Sequence, residues 1–234
     1  LVEDSMKTSK SGNIDGKTTI TTTTATTTTN KNNSDKNNDD YDSDDDDAFI
    51  APVWKPDAAS KNCLVSEGIE LNVDKFTLIG HSMGGYAGLE LLKICPEKIN
   101  HFILFHSTAK ADSEQKKNDR SRAIKMVKDK QNVYLKTAIP FLFPEQFQPS
   151  CSGYIQKMIA EAKNLHSSGI IAALKGMQQR KDCNELLKSL SCRKTYIAGT
   201  FDPLLDVAAL REEASNNEAN FIEIENAGHM SHFE

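Results

Sequence analysis

Along the C-terminal three quarters of the chain, short apolar runs alternate with longer segments whose apolar residues recur at helical spacing. Residues 75–79 form an apolar run of the kind a strand buried on both faces shows. Residues 86–95 carry Leu89, Leu92 and Ile94 near helical spacing and are closed by Pro96, which cannot continue a helix. Further strands are predicted at 102–105, 195–199 and 221–224, with a helix at 207–214. The stretch between Thr108 and Lys194 is too long for one crossover helix. Residues 112–130 are strongly charged, with apolar residues only at Ala123, Ile124, Met126 and Val127, which suits an exposed helix. Residues 154–165 (Ile155, Met158, Ile159, Ala162) and 169–179 (Ile170, Ile171, Leu174, Met177) are amphipathic at helical period. The pattern predicts an α/β protein with a parallel sheet and a helix-rich insertion at about 108–193.

The first 47 residues break this pattern. Residues 18–29 hold ten threonines, residues 30–38 alternate Asn with Lys, Ser and Asp, and residues 42–47 are aspartates interrupted only by Ser43. Such a segment has too little apolar surface to offset its ordering entropy, so 1–47 is expected to be disordered and 48–234 to form the folded domain. Charge divides the same way. Residues 1–47 carry a balance of minus six, which leaves plus one for the rest of a chain whose total is minus five. A nearly neutral folded part with no basic patch points away from nucleic acid and from membrane surfaces.

Candidate chemistry enters at Gly80-His81-Ser82-Met83-Gly84-Gly85. A strand that turns sharply into a helix around one serine holds that serine in a strained conformation with its hydroxyl projecting above the sheet. Small residues are then needed two positions before and two after it, and Gly80 and Gly84 meet that need. A serine hydroxyl at its ordinary pKa is a poor nucleophile, so a base must lie within hydrogen-bond reach and a third group must orient the base. Asp202-Pro203 follows the 195–199 run in a loop, and Asn226-Ala227-Gly228-His229 follows the 221–224 run. The order Ser82, Asp202, His229 suits a triad built on loops after successive parallel strands.

With these three motifs in order, the chain resembles the α/β-hydrolase family over about residues 61–234. The run Phe105-His106-Ser107-Thr108 and the run Ala111-Asp112-Ser113 resemble bacterial-type members. The resemblance implies Ser82 as nucleophile, His229 as general base and then acid, Asp202 as orienter, and the Met83 N–H as one oxyanion donor. It implies no metal and no organic cofactor, and a small-molecule ester or related acyl substrate. Placed after the sixth family strand, the helical insertion would be a cap over the serine, with Phe141, Leu142 and Phe143 offering an apolar pocket.

Other residues compete for these roles. His81, inside the turn, is expected to pack or to hydrogen-bond a loop. His106 is expected either to line the pocket or to serve the fold. His232 has no glycine turn before it and reads as a surface histidine, His101 and His166 as solvated or locally satisfied, and Asp206 as the acid that opens the 207–214 helix.

The chain departs from the family upstream. The second oxyanion donor comes from a loop after the family's third strand marked by a His-Gly pair, and no histidine precedes His81. Without that third strand, 76–79 would present an unpaired edge, which invites aggregation and predicts poor solubility of the chain alone. The expectation is a fragment, or a gene product whose low-complexity tract inserts between upstream strands and the rest. Phe49-Ile50-Ala51-Pro52 is a candidate remnant strand. The competing functional reading is a catalytically silent, hydrolase-like binding module. Five cysteines without CxxC spacing suggest neither zinc nor a disulfide framework. With no signal-like apolar run, the expected location is the cytoplasm.

Overall fold

The computed structural model describes residues 75–234 together with three short strands at 19–22, 63–66 and 69–72. In chain order these strands are β1 (Thr19–Thr22), β2 (Cys63–Ser66) and β3 (Ile69–Asn72), followed by β4 (Phe76–His81) and helix α1 (Met83–Ile94). Strand β5 (Ile99–Phe105) then leads into four helices, α2 (Glu114–Ala138), α3 (Ser152–Ala162), α4 (Ser167–Gln179) and α5 (Asn184–Ser189). Strand β6 (Arg193–Gly199), helix α6 (Val207–Asn216) and strand β7 (Asn220–Ile224) complete the described chain.

The main sheet has the order β1-β4-β5-β6-β7, and each of its four pairings is parallel. Strands β2 and β3 form a separate antiparallel pair. Parallel neighbours need crossovers, and helices α1 and α6 supply them between β4 and β5 and between β6 and β7. Of the strands expected from apolar runs, each has its counterpart in β4, β5, β6 or β7. The edge of β4 expected to be bare has a partner: Thr19–Thr22 runs parallel to it, with Thr19 opposite Thr77 and Thr22 opposite Gly80. Threonine is β-branched and favours extended backbone, which fits this register. The remainder of 1–47, and the candidate strand at 49–52, lie outside the described residues.

One face of the sheet carries the core. Phe76 and Leu78 of β4, Phe102 and Leu104 of β5, and Tyr196 and Ala198 of β6 pack against Leu89 and Leu92 of α1, Leu187 of α5, and Leu210 and Ala214 of α6. Burial alternates along β4, so Thr77, Ile79 and His81 are only half-buried. The expectation of burial on both faces fails here for the described residues, because α1, α5 and α6 all contribute to the same cluster. Beneath it, Glu213 of α6 accepts hydrogen bonds from Thr108 Oγ1 (2.6 Å), the Ala109 N–H (2.6 Å) and Tyr196 Oη (3.0 Å). One buried carboxyl thus ties α6 to the segment after β5 and to the middle of β6.

The helical stretch builds a second core. Leu135 of α2, Ile155 and Ile159 of α3, Ile139, Phe143 and Cys151 pack together with Met230, the residue after His229. Helix α2 starts where the Ser113 hydroxyl accepts from Lys116 N (3.2 Å) and runs past the expected end, with a kink at Lys130. The sequence beyond 130 supplies Leu135 and Ile139 to this second core, which explains the extension. Asp112, buried at the base of α2, is ion-paired to Arg120 of α2 and to Arg180 just after α4. The Arg180 guanidinium also stacks over the Tyr86 ring of α1 at 4.0 Å, tying the helical stretch to α1.

Candidate active site

Four neighbouring strands end side by side, and each delivers one residue. Ser82 follows β4, His106 follows β5, Asp202 lies in the loop after β6 and His229 in the loop after β7. The register places His81 beside Phe105, Phe105 beside Ile197, and Gly199 beside Ile224, so these positions meet at the carboxyl rim.

Ser82 has φ 52° and ψ −118°, a left-handed conformation that costs free energy for a residue with a side chain. The turn is held by the Ser82 N–H donating to the Phe105 carbonyl (2.9 Å) and by Ser107 Oγ donating to the Ser82 carbonyl (2.8 Å). It closes so tightly that a Cβ on Gly80 would lie 2.5 Å from the Gly85 Cα and 2.6 Å from the Gly84 oxygen. A Cβ on Gly85 would meet the Ser107 side chain. Gly80 and Gly85 therefore carry the tight approach, while Gly84 contributes its backbone. The Met83 N–H stands at the first position of α1, where a helix has no internal acceptor for it. The loop expected to hold a second oxyanion donor lies outside the described residues.

His229 is buried, and its Nε2 lies 2.8 Å from Ser82 Oγ while its Nδ1 lies 2.8 Å from Asp202 Oδ2. An ionised carboxylate only accepts, so Nδ1 carries the proton and Nε2 is free to accept the serine O–H. Burial works against ionisation of Asp202. Hydrogen bonds from His106 and His229, the electrostatic pull of the His229 ring and the Leu204 N–H outweigh it and hold the carboxyl well below the usual carboxylate range. Chemically, the arrangement can withdraw a proton from a hydroxyl, store it on an imidazole and keep the resulting imidazolium beside a carboxylate.

Two further histidines, His106 and His81, meet at this rim. His106 is fully buried and bonded to Asp202 at 3.0 Å, so it belongs to the hydrogen-bond network and does not line a pocket. His81 donates from Nε2 to the His229 carbonyl (2.9 Å), fixing the loop that carries the imidazole. Phe141 stands 58% exposed on the 3₁₀ turn Pro140–Leu142, and its neighbour Phe143 is the one buried in the second core. His232 is exposed as expected, yet its ring lies 4.8 Å from that of His81 and 4.4 Å from that of Phe233. His101 bonds Thr195 Oγ1 at 2.9 Å, and Asp206 caps α6 by accepting from Ala208 N (2.9 Å) and Ala209 N (3.2 Å). Ser107, named above only within the run 105–108, and Ser231 carried no individual role in the sequence. Neither has a spacing signal, and only the adjacency of β4, β5 and the terminal loop reveals them.

Among the described residues, one trio holds ligand-type atoms close enough for a metal ion: His106, Asp202 and His229, all within 4.8 Å. Both imidazole Nδ1 atoms are engaged to the carboxylate, so a metal would have to break two hydrogen bonds to enter.

Burial pushes the His81 imidazole down to about 4 from its usual 6.5. Its bond to the His229 carbonyl works the other way, and the neighbouring histidines push it further down. Between those two pH values the unfolded chain binds a proton that the folded chain does not, so stability falls as the solution is acidified through that window. His81→Gln, whose amide can still donate to the His229 carbonyl, is expected to lose less melting temperature between pH 7 and pH 5 than the parent. Calorimetric scans at the two pH values check this, and equal losses would sink it.

Comparison with known proteins agrees with the architecture. The family described as alpha/beta hydrolase fold matches residues 70–234. An esterase from Thermogutta terrifontis, solved with malate bound, superimposes with a TM-score of 0.61 at 28% identity, over 67% of this chain and 58% of that one. The enol-lactonase from Burkholderia xenovorans LB400 superimposes with a TM-score of 0.59 at 19% identity, over 68% of this chain and 60% of that one, a likeness of fold. RutD of Rhizobium rhizogenes, named as a candidate carbamate hydrolase, is 25% identical over 158 residues, 64% of this chain and 59% of that protein. The chain thus spans about three fifths of the length of the relatives it matches. No described helix is long and apolar enough to cross a membrane. A five-stranded parallel sheet whose second strand turns through a strained serine into a helix, matched by the family over residues 70–234, makes this chain a member of the alpha/beta hydrolase fold family.

Proposed function

We propose that the protein is a serine hydrolase that cleaves an ester or related acyl bond of a small molecule. The single observation that carries this reading is the unbroken line from Ser82 Oγ to His229 Nε2 (2.8 Å) and from His229 Nδ1 to Asp202 Oδ2 (2.8 Å). Ser82 Oγ attacks the carbonyl carbon as its proton passes to His229 Nε2. The negative charge that develops on the carbonyl oxygen is met by the Met83 N–H. Collapse of the tetrahedral species breaks the bond to the leaving group, which takes the proton from His229. Water, deprotonated by the same imidazole, then attacks the acyl-serine carbonyl and releases the acid and Ser82. Asp202 keeps the imidazole in the tautomer that can accept and stabilises it when charged.

The helices between β5 and β6 serve in this reading as a cap on the domain spanning 48–234. Support comes from Met230, which anchors their core to the His229 loop, and from Pro144, which would be struck by any Cβ on Gly228. The similarity to an esterase and to a candidate carbamate hydrolase is compatible with an acyl substrate without choosing one.

The test is labelling with a fluorophosphonate probe. Expected is a single covalent adduct on Ser82, lost in Ser82→Ala and in His229→Ala. Folded protein that takes no label would sink the reading and favour the catalytically silent binding module.

A further inference from the structure

Asp202 accepts more hydrogen bonds than orienting one imidazole requires. Its Oδ1 takes the N–H groups of Leu204 (2.8 Å) and Leu205 (3.1 Å). Its Oδ2 takes His229 Nδ1 at 2.8 Å and, in addition, His106 Nδ1 at 3.0 Å. The His106 ring is completely buried, and its Nε2 lies 2.7 Å from Ser231 Oγ. Facing an acceptor-only carboxylate, His106 Nδ1 must carry hydrogen. In the neutral ring Nε2 is then bare and accepts the Ser231 O–H. The backbone reinforces this placement, since His106 sits at φ 47° with its N–H bonded to the Ile197 carbonyl at 2.8 Å. A residue with a side chain in that region persists only where its surroundings impose it, and such positions cluster at functional sites.

Resting on the reading of Ser82, His229 and Asp202 given above, we propose that His106 is a positioning residue for the reaction: by sharing Asp202 Oδ2 with His229 it fixes the carboxylate and limits how strongly that carboxylate holds a proton on His229. Two N–H donors on one oxygen divide its accepting power. With the His106 donor gone, Asp202 attracts a protonated His229 more strongly and is itself free to swing about its backbone bonds. A protonated His229 cannot take the proton of Ser82, so the acid limb of the rate profile moves to higher pH. The groups facing the His106 ring are Asp202 from the β6 loop, His229 and His232 from the terminal loop, and His81 from β4. Desolvation of their rings holds His81 and His232 below the usual histidine range, and Asp202 is the carboxylate that faces His106.

Three substitutions separate positioning from mere filling of space. His106→Asn keeps an N–H donor where Nδ1 stood, and asparagine accepts a left-handed backbone readily. His106→Gln can keep the Ser231 contact but places no donor at that point, and His106→Leu removes both. With 4-nitrophenyl acetate as substrate, His106→Asn is expected to keep kcat within about threefold of the parent with the acid limb in place. The other two are expected to lose about ten- to a hundredfold in kcat at similar KM. In both, the acid limb should move upward. The fluorophosphonate labelling rate, followed over the same pH range, should repeat the pattern. Melting curves for each variant ensure that rates are compared on folded protein. Equal losses in all three with an unmoved acid limb, or parental rates in His106→Gln and His106→Leu, would overturn the proposal. Ser82→Ala in the same assay keeps the two claims apart. If it retains parental turnover, or the parent takes neither ester nor probe, the reading of Ser82 falls and this inference with it. Loss in Ser82→Ala without the His106 pattern overturns the inference alone.

Discussion

Asp202→Asn should lower kcat for ester hydrolysis by about 10⁴-fold while leaving the protein folded. Four donors converge on the two carboxylate oxygens: the Leu204 and Leu205 N–H groups on one, and Nδ1 of His106 and His229 on the other. Asparagine offers a single acceptor oxygen. If that oxygen stays with the backbone pair, the amide nitrogen faces two ring nitrogens and drives His229 into the tautomer with hydrogen on Nε2. The atom that should accept the proton of Ser82 is then already occupied. If the oxygen turns to the histidines instead, two loop N–H groups lose their partner and the Asp202 loop shifts. Both routes break the relay, so steady-state kinetics with burst analysis should report slow acylation with little change in KM. Activity within about tenfold of the parent would refute the role proposed for Asp202.

Glu213→Ala should cost about 4 kcal/mol of stability and lower the melting temperature by about 8–16 °C, without touching the site directly. Three buried donors, the Thr108 hydroxyl, the Ala109 N–H and the Tyr196 hydroxyl, depend on this carboxyl group. Each would lose this acceptor where α6 meets the segment after β5 and the middle of β6. The Tyr196 hydroxyl has a second contact, accepting from Asn217 Nδ2 at 3.1 Å, which softens its loss. Glu213→Gln keeps the shape and one acceptor oxygen and should fall between the two. Urea titrations at pH 7 measure all three proteins, and coincident midpoints would show that the network contributes nothing.

How much of this was legible beforehand differs by element. Strands β4 to β7 and helices α1, α3, α4 and α6 follow from short apolar runs and 3.6-residue spacing, because both periods are written locally. Helix α2 was placed but cut short, since its second half is defined by the partners of Leu135 and Ile139 and not by its own spacing. Strand β1 was unreadable, because a threonine tract carries extended propensity without an apolar pattern to say where it pairs. Residues Ser82, Asp202 and His229 could be singled out because each is flanked by turn glycines or a turn proline at a strand end. Which of the adjacent Phe141, Leu142 and Phe143 turns into the helical core depends on the neighbours they meet, and no local pattern tells it.

Local order along the polymer therefore sufficed to specify a parallel sheet, a strained serine turn and the chain order of the candidate residues. Backbone stereochemistry and residue type set those features within a few positions of each other. The lateral order of the strands brought His106 and His229 onto one carboxylate oxygen, placed Ser231 against His106 and Ser107 against the serine turn, and seated Met230 in the helical core. These contacts join residues 25 to 125 positions apart. Their geometry comes from the spacing of neighbouring strands and the packing between layers, which no local pattern encodes.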